Sequence, residues 1–389
     1  MCGIAGVYNS ERCEEELRQI GKKFIQLLNH RGPDGNGIQL FSENQKSNTC
    51  LTHNRLSIID LSSDANQPMS RYNSRLWISF NGEIYNFREL RDELHSKGER
   101  FITNSDTEVI LASYKVWGTK CFEKFIGMWA IAIYDKVENS LILCRDRLGI
   151  KPLYYKSVGH EVVFGSEPKI ILSYSNDNHY INTESLSDYF SYRFPLGNKS
   201  FYKNIKSLDP GSYIKFNKNG FKKNYYWELP VIAEEEKVDF GEDKIFNDVS
   251  ELLTSSINYR MISDVPFGAF LSGGLDSSII VSEMSKLNKN KIRTYNIGFK
   301  EDKFNEFIYA TEVSNLFKTN HTQILMDENE YFSSMPEIIK YKWLEWILHF
   351  SNYNLEQIGG IDIINQVIEQ IITSKRCWIT TRSSSSSTN

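Results

Sequence analysis

The second residue of this chain is a cysteine, in Met1-Cys2-Gly3-Ile4. A small second residue permits removal of Met1, and Cys2 would then carry a thiol and a free α-amine on one carbon. An α-amine titrates near ~7.7–8. Roughly a tenth or more of it is therefore neutral at pH 7 and able to take the thiol proton, with no histidine or separate base required. The thiolate could attack a side-chain amide carbonyl, expel ammonia and leave a thioester for water to hydrolyse. Such chemistry needs donors for an oxyanion. Asn81-Gly82-Glu83 follows a predicted strand over 76–80, where a side-chain amide and a glycine N–H could point at one oxygen. Losing one such donor typically costs about 10²–10³ in rate. A free amino acid as substrate also needs a cation for its carboxylate and an anion for its ammonium. Arg55 offers a bidentate grip, and Asp106 and Glu83 offer the anions.

The elements that must hold these residues read as short strands with a few helices. Apolar runs bounded by turns predict strands over 2–8, 50–58, 76–80, 128–134, 141–145 and 161–165. Helical spacing marks 86–97 and 107–117, with Asp106 placed to cap the second helix and Thr107 and Glu108 following it. Asn219-Gly220, between 213–216 and 225–227, signals a hairpin. The polar, acidic stretch from Pro230 to Asp243 reads as a linker. Beyond it, a helix (about 244–259), a strand (267–271), a Gly-rich turn, a helix (about 276–287), a strand (292–299), a helix (about 305–317) and a strand (322–326) alternate as in a parallel α/β sheet.

The Gly-rich turn is the second place where chemistry concentrates. Ser272-Gly273-Gly274-Leu275-Asp276-Ser277-Ser278 lies between a predicted strand and a predicted helix. Two glycines let the backbone approach a phosphate, the helix N-terminus favours an anion, and the serines can donate further. Asp276 could hold Mg²⁺. The spacing is not that of a Walker A loop.

These blocks resemble a known family. Cys2-Gly3-Ile4-Ala5-Gly6, His30-Arg31-Gly32-Pro33-Asp34, His53-Asn54-Arg55-Leu56-Ser57-Ile58, Asn81-Gly82-Glu83-Ile84-Tyr85-Asn86 and Ser105-Asp106-Thr107-Glu108 are similar, and in the same order, to class II glutamine amidotransferase domains. The block from Arg145 through Lys151 to Tyr155, with Ser166-Glu167, resembles the end of that domain in glutamine-hydrolysing asparagine synthetases. The string from Ser263 to Ser278, with 295–299 and Asn305-Glu306, resembles the pyrophosphate loop and next strand of the same enzymes, and His321 matches a family histidine.

The resemblance implies an α+β N-terminal-nucleophile domain, an αββα sandwich over 2–230. A linker (231–243) and a partial α/β ATP-pyrophosphatase parallel sheet (244–341) follow. It implies Cys2 as nucleophile and Asn81 with Gly82 as the oxyanion hole. Arg55, Leu56, Ser57, Ile58, Ile59, Asn81, Gly82, Glu83 and Asp106 would hold glutamine. Leu271, Ser272, Gly273, Gly274, Leu275, Asp276, Ser277, Ser278 and Ile297 would hold ATP, with Mg²⁺ at Asp276 and Leu271 and Ile297 flanking the adenine. The implied reaction adenylates aspartate and displaces AMP with ammonia, giving asparagine, glutamate, AMP and pyrophosphate. Two alternatives stay open: another carboxylate acceptor such as a uronic-acid sugar, or a chain retaining only glutaminase activity. A homodimer is a further expectation.

Bulk properties agree. The 389 residues suit two domains, with 40% hydrophobic and 24% charged residues and a net charge of −4. A dedicated nucleic-acid binder would carry a basic excess, and no apolar run is long enough to span a bilayer. No basic, signal-like segment precedes Cys2, so a cytoplasmic location is expected. Cysteines at 2, 13, 50, 121, 144 and 377 form no CxxC pair, which disfavours zinc and redox motifs. After Tyr341 the family pattern is lost, and a run of five serines (383–387) predicts disorder. The tail over 342–389 reads as divergent, as from a truncated or frameshifted reading.

Overall fold

The computed structural model describes residues 2–43, 47–174, 180–233, 237–300 and 305–327, with 329, 332 and 333. The expectations for the tail after Tyr341 lie outside the described residues. The chain divides into two compact units, Met1–Pro266 and Phe267–Asn389.

The first unit is built on two six-stranded antiparallel sheets. One has the order β10 (Lys206–Ser207), β8 (Tyr154–Val158), β9 (Glu161–Gly165), β1 (Gly3–Ser10), β3 (Ser47–Arg55), β2 (Gly35–Glu43). The other runs β12 (Gly220–Tyr225), β11 (Ser212–Asn217), β7 (Ser140–Arg145), β6 (Gly127–Asp135), β5 (Leu76–Ile84), β4 (Met69–Arg71). Strand alternation sends one set of side chains inward. Ile4, Tyr8 and Leu51 from the first sheet meet Ala130, Tyr134, Leu143 and Ile214 from the second in a buried core. The opposite faces are covered by helices. Ala5, Val7 and Cys50 pack with α1 (Glu14–Leu28) and α5 (Pro168–Tyr174) through Leu17, Phe24, Leu28, Ile170 and Ile171. Ile78, Phe80, Ile131 and Ile133 pack with α2 (Phe87–Ser96), α3 (Asp106–Trp117) and α4 (Cys121–Lys124). Three cores between four layers make an αββα sandwich. The unit also contains α6 (Thr183–Tyr192) and ends with α7 (Glu242–Arg260).

Three local readings change. Asn81, Gly82 and Glu83 do not follow a strand: they lie within β5, paired with Ala130, Trp129 and Met128 of β6. A Cβ on Gly82 would stand 2.1 Å from the Met128 carbonyl oxygen, so only glycine allows the strand to run on. The cap of α3 is Ser105, whose hydroxyl accepts the Glu108 N–H at 3.3 Å. Asp106 is the first helical residue, and its carboxylate is turned to β5 instead. The hairpin turn is Lys218-Asn219, and the returning strand starts at Gly220 opposite Asn217, five residues before the predicted one.

The second unit contains β13 (Gly268–Phe270), α8 (Leu275–Leu287), β14 (Arg293–Phe299), α9 (Phe307–Phe317) and β15 (Asn320–Met326). The strands are parallel, in the order β13-β14-β15. Both helices pack on one face, where Leu271, Val281 and Ala310 are buried together. On the opposite face Ile297 is 47% exposed, and Phe270 at the edge is 79% exposed.

Candidate glutaminase site and nucleotide loop

Cys2 precedes β1 and lies beside the end of β3. Its Sγ accepts the Leu56 N–H at 3.3 Å and faces the Leu56 carbonyl at 3.6 Å. The Cys2 carbonyl accepts Arg31 Nε at 3.0 Å. Arg31 in turn donates to Glu167 Oε1 at 2.9 Å, where His30 Nε2 also stands at 2.9 Å, and Lys169 lies 3.0 Å from Oε2. Burial pushes the Glu167 carboxyl up, but the His30 hydrogen bond, Lys169 and Arg31 outweigh it and hold it at about 2. For the Cys2 thiol the balance is reversed: burial pushes it up against the pull of the Leu56 N–H.

Cys2 lines a cavity of about 300 Å³ together with Arg55, Leu56, Ile58, Ile59, Asn81, Gly82, Glu83 and Asp106, and with Lys151. That volume is at the lower end of small-molecule sites. The sequence-predicted glutamine residues thus converge, with one exception. Ser57 does not line the cavity, and its N–H is held by Asp34 Oδ2 at 2.8 Å. The sequence reading did not assign Gln67, Phe80, Ser105, Thr107 or Lys151 to the site, and all five line it.

The position of Asn81 is fixed through Phe80. The Phe80 N–H donates to Gln67 Oε1 at 2.7 Å, and its carbonyl accepts His53 Nε2 at 3.0 Å across the two sheets. Burial pushes His53 down to about 4, so the ring is neutral and Nε2 carries the proton. Gln67 also donates to Thr107 Oγ1 at 3.2 Å, tying β5 to the start of α3. Asn81 itself is buried, and its Nδ2 has no partner among the described residues. A buried amide N–H₂ without an acceptor costs stability, and here it belongs to a side chain that lines the cavity beside Cys2.

At the other end, Arg55 closes β3 with its side chain buried, and the loop that follows claims part of its fork. Nη1 donates to the Ser62 carbonyl at 2.8 Å and Asn66 Oδ1 at 2.9 Å, and Nη2 donates to the Asp60 carbonyl. Of the five guanidinium N–H groups, Nε–H and one on Nη2 remain for a ligand. Asp60 also caps the loop, accepting Ser62 N–H at 3.0 Å and Asn104 N–H at 2.7 Å. Asp106 Oδ2 accepts the Ile84 N–H at 3.0 Å. Burial, with repulsion from Glu83, pushes Asp106 up to about 7 despite that bond, and burial also raises Glu83.

A glutamine amidotransferase domain profile matches residues 1–227, and an asparagine synthase profile matches residues 248–347. A Methanocaldococcus jannaschii protein named as a putative glutamine-hydrolysing asparagine synthetase is 38% identical, over 88% of this chain and 68% of its own length. The chain belongs to the glutamine-hydrolysing asparagine synthetase family. A Bacillus subtilis member of the family, asparagine synthetase 1, is 36% identical over 87% of this chain and 52% of its own length. This chain therefore spans about half to two thirds of the relatives it matches. Among solved structures, the Bacillus subtilis glutamine phosphoribosylpyrophosphate amidotransferase overlays loosely, with a TM-score of 0.43 and 15% identity, covering 83% of this chain and 65% of that one.

In the second unit, the Ser272–Ser278 loop leads from β13 into the start of α8 and is bonded to itself. Ser272 Oγ accepts the Gly274 N–H at 3.2 Å and meets Ser277 Oγ at 3.0 Å, and Ser278 Oγ donates to the Gly274 carbonyl at 2.8 Å. Gly273 has φ +80°, and a Cβ there would stand 2.4 Å from Tyr309 Cβ, so its glycine is required twice over. Leu271 is buried in the small core, whereas Ile297, Leu275 and Asp276 are exposed. His321 Nδ1 meets Thr294 Oγ1 at 2.9 Å. Among the described residues, no group of three or more His, Cys, Asp and Glu side chains gathers as metal ligands, and no helix is long and apolar enough to cross a membrane.

Proposed function

We propose that this chain hydrolyses glutamine at Cys2 and uses the ammonia to amidate an ATP-activated aspartate. The observation that carries the first half is the convergence of Cys2, Asn81, Arg55 and Asp106 on one cavity. In this reading Met1 is removed, and the Cys2 α-amine takes the thiol proton. Sγ adds to the glutamine side-chain carbonyl carbon. Asn81 Nδ2 and the Gly82 N–H stabilise the oxyanion. The amine returns its proton to the leaving nitrogen, ammonia departs and a thioester remains. Water attacks the thioester, releasing glutamate and restoring the thiol. Arg55 binds the substrate carboxylate through its two remaining N–H groups, and Asp106 and Glu83 bind the ammonium.

The second half rests on the family and on the loop at Ser272–Ser278, whose N–H groups, hydroxyls and helix N-terminus suit a polyphosphate. Leu271 would contribute to the adenine site through its backbone, since its side chain is in the core. Ile297 offers an exposed apolar surface. Asp276 is an exposed carboxylate in the first turn of α8, which fits Mg²⁺, an ion commonly bound by one or two carboxylates plus substrate phosphates. Bound there, the ion would neutralise phosphate charge.

The test measures ammonia from glutamine and pyrophosphate from ATP, with and without aspartate. Both activities, with pyrophosphate dependent on aspartate, support the proposal. Ammonia alone would limit the chain to glutaminase chemistry, and neither would refute it.

A further inference from the structure

Lys151 is the one ionisable residue of the glutaminase cavity with no part in the scheme above. It is only 5% exposed and lines the same cavity as Cys2. Its backbone is held on both sides: the Lys151 N–H donates to Asp146 Oδ2 at 2.9 Å, and its carbonyl accepts Arg145 Nε at 2.8 Å. Asp146 also gathers the N–H groups of Trp129, Leu148 and Ile150 at 2.9–3.1 Å, so the loop that presents Lys151 is tied to β6. Yet Nζ has no hydrogen-bond or ion-pair partner among the described residues. The ammonium, on a side chain that is otherwise buried, opens into the cavity without a partner, and that placement points to an anion formed or bound there.

The chemistry of the cavity narrows that anion. Glutamine brings one carboxylate, taken by Arg55, and one ammonium, taken by Asp106 and Glu83, and these charges are present throughout. The negative charge that is created in the first step arises at Sγ, on the same cavity as Lys151, when the thiol proton leaves. We propose that Lys151 is the counter-charge of the Cys2 thiolate, stabilising the anion that forms at Sγ as its proton passes to the α-amine nitrogen. Lys151 thus acts through Cys2, and neither gains nor loses a proton in the step. The other charged groups facing this pair are Glu83 and Asp146 near Lys151, Arg31 beside both, and Asp106 near Cys2. Burial lowers Lys151 while Glu83 opposes it, and its charge in turn works against the burial that raises the Cys2 thiol. The positive charge also favours the neutral form of the adjacent α-amine, which the base requires.

This inference rests on Cys2 being the nucleophile. The test is the rate of Cys2 alkylation by iodoacetamide from pH 5.5 to 9.5, read on the N-terminal peptide by mass spectrometry, in the full chain. Neutral Lys151→Met and Lys151→Gln should react roughly tenfold or more slowly at pH 7, the scale of a one-unit upward shift. They should also lose glutaminase kcat by a similar factor, with KM for glutamine within about threefold. Lys151→Arg should restore both. Using two neutral variants of different shape keeps the test open if one fails to fold. An unchanged alkylation profile in a folded neutral variant overturns the proposal, as does a lowered rate that Lys151→Arg does not restore. If instead Cys2→Ala still hydrolyses glutamine, the nucleophile assignment itself has failed.

Discussion

Replacing Asp106 with asparagine should separate substrate binding from folding. Burial, with Glu83 adding repulsion, moves the Asp106 carboxyl from the ordinary 3.8 up to about 7. Between these values the folded chain holds a proton that the unfolded chain has released. The contribution of Asp106 to stability is therefore intact below about pH 4, falls as pH rises, and is lost above about 7. Roughly three units at about 1.36 kcal/mol each set the loss near 4 kcal/mol. An amide incurs no ionisation cost, and its Oδ1 can still accept the Ile84 N–H. Asp106→Asn should thus be at least as stable as the parent at pH 8, with the advantage shrinking towards pH 5. Asp106 is the proposed partner of the substrate ammonium, so removing its charge should cost at least about 2 kcal/mol, raising KM for glutamine roughly 30-fold. In the parent, kcat/KM should rise with pH as Asp106 ionises. Calorimetric unfolding at pH 5 and 8, with glutamate release against glutamine concentration, reads both effects. A variant with unchanged KM, or one destabilised equally at both pH values, would refute the reasoning.

Two further substitutions test the supports of the site. Gly82→Ala should force β5 and β6 apart against the Met128 carbonyl, costing roughly 1–3 kcal/mol or more, and should lower both the melting temperature and kcat, read by thermal unfolding and ammonia release. Arg55→Lys keeps the charge but loses the fork that binds the Ser62, Asn66 and Asp60 oxygens while leaving N–H groups for substrate. Its KM should rise about 10- to 100-fold with kcat much less affected, and an unchanged KM would remove Arg55 from the substrate grip.

Much of this was legible because the chemistry lies in short local blocks. Cys2, Arg55, Asn81 and Asp106 carry residue types with few other uses in that combination, and the alternation of the second half announced a parallel sheet. What escaped was set by tertiary contact. Asn81-Gly82-Glu83 is a poor strand sequence, but pairing with Ala130, Trp129 and Met128 overrides propensity. Ser105 rather than Asp106 caps α3, because Asp106 is drawn to the Ile84 N–H on a distant strand. Helix α1 was not singled out, although Leu17, Gly21, Phe24 and Leu28 recur at helical spacing and are its buried face. Lys151 was visible only as one letter of the Arg145–Tyr155 block, since nothing local shows that Asp146 presents it to the cavity. Gln67, too, acquires meaning only through the Phe80 N–H that it holds.

The central claim is that Cys2, freed of Met1, is the nucleophile. Incubation with a diazoketone analogue of glutamine, followed by mass analysis of the N-terminal peptide, tests it most directly. The account predicts a peptide that begins at Cys2, labelled once on its sulfur, with ammonia release from glutamine lost in proportion to labelling. A peptide that retains Met1 in active protein, or a label elsewhere when hydrolysis stops, would contradict it.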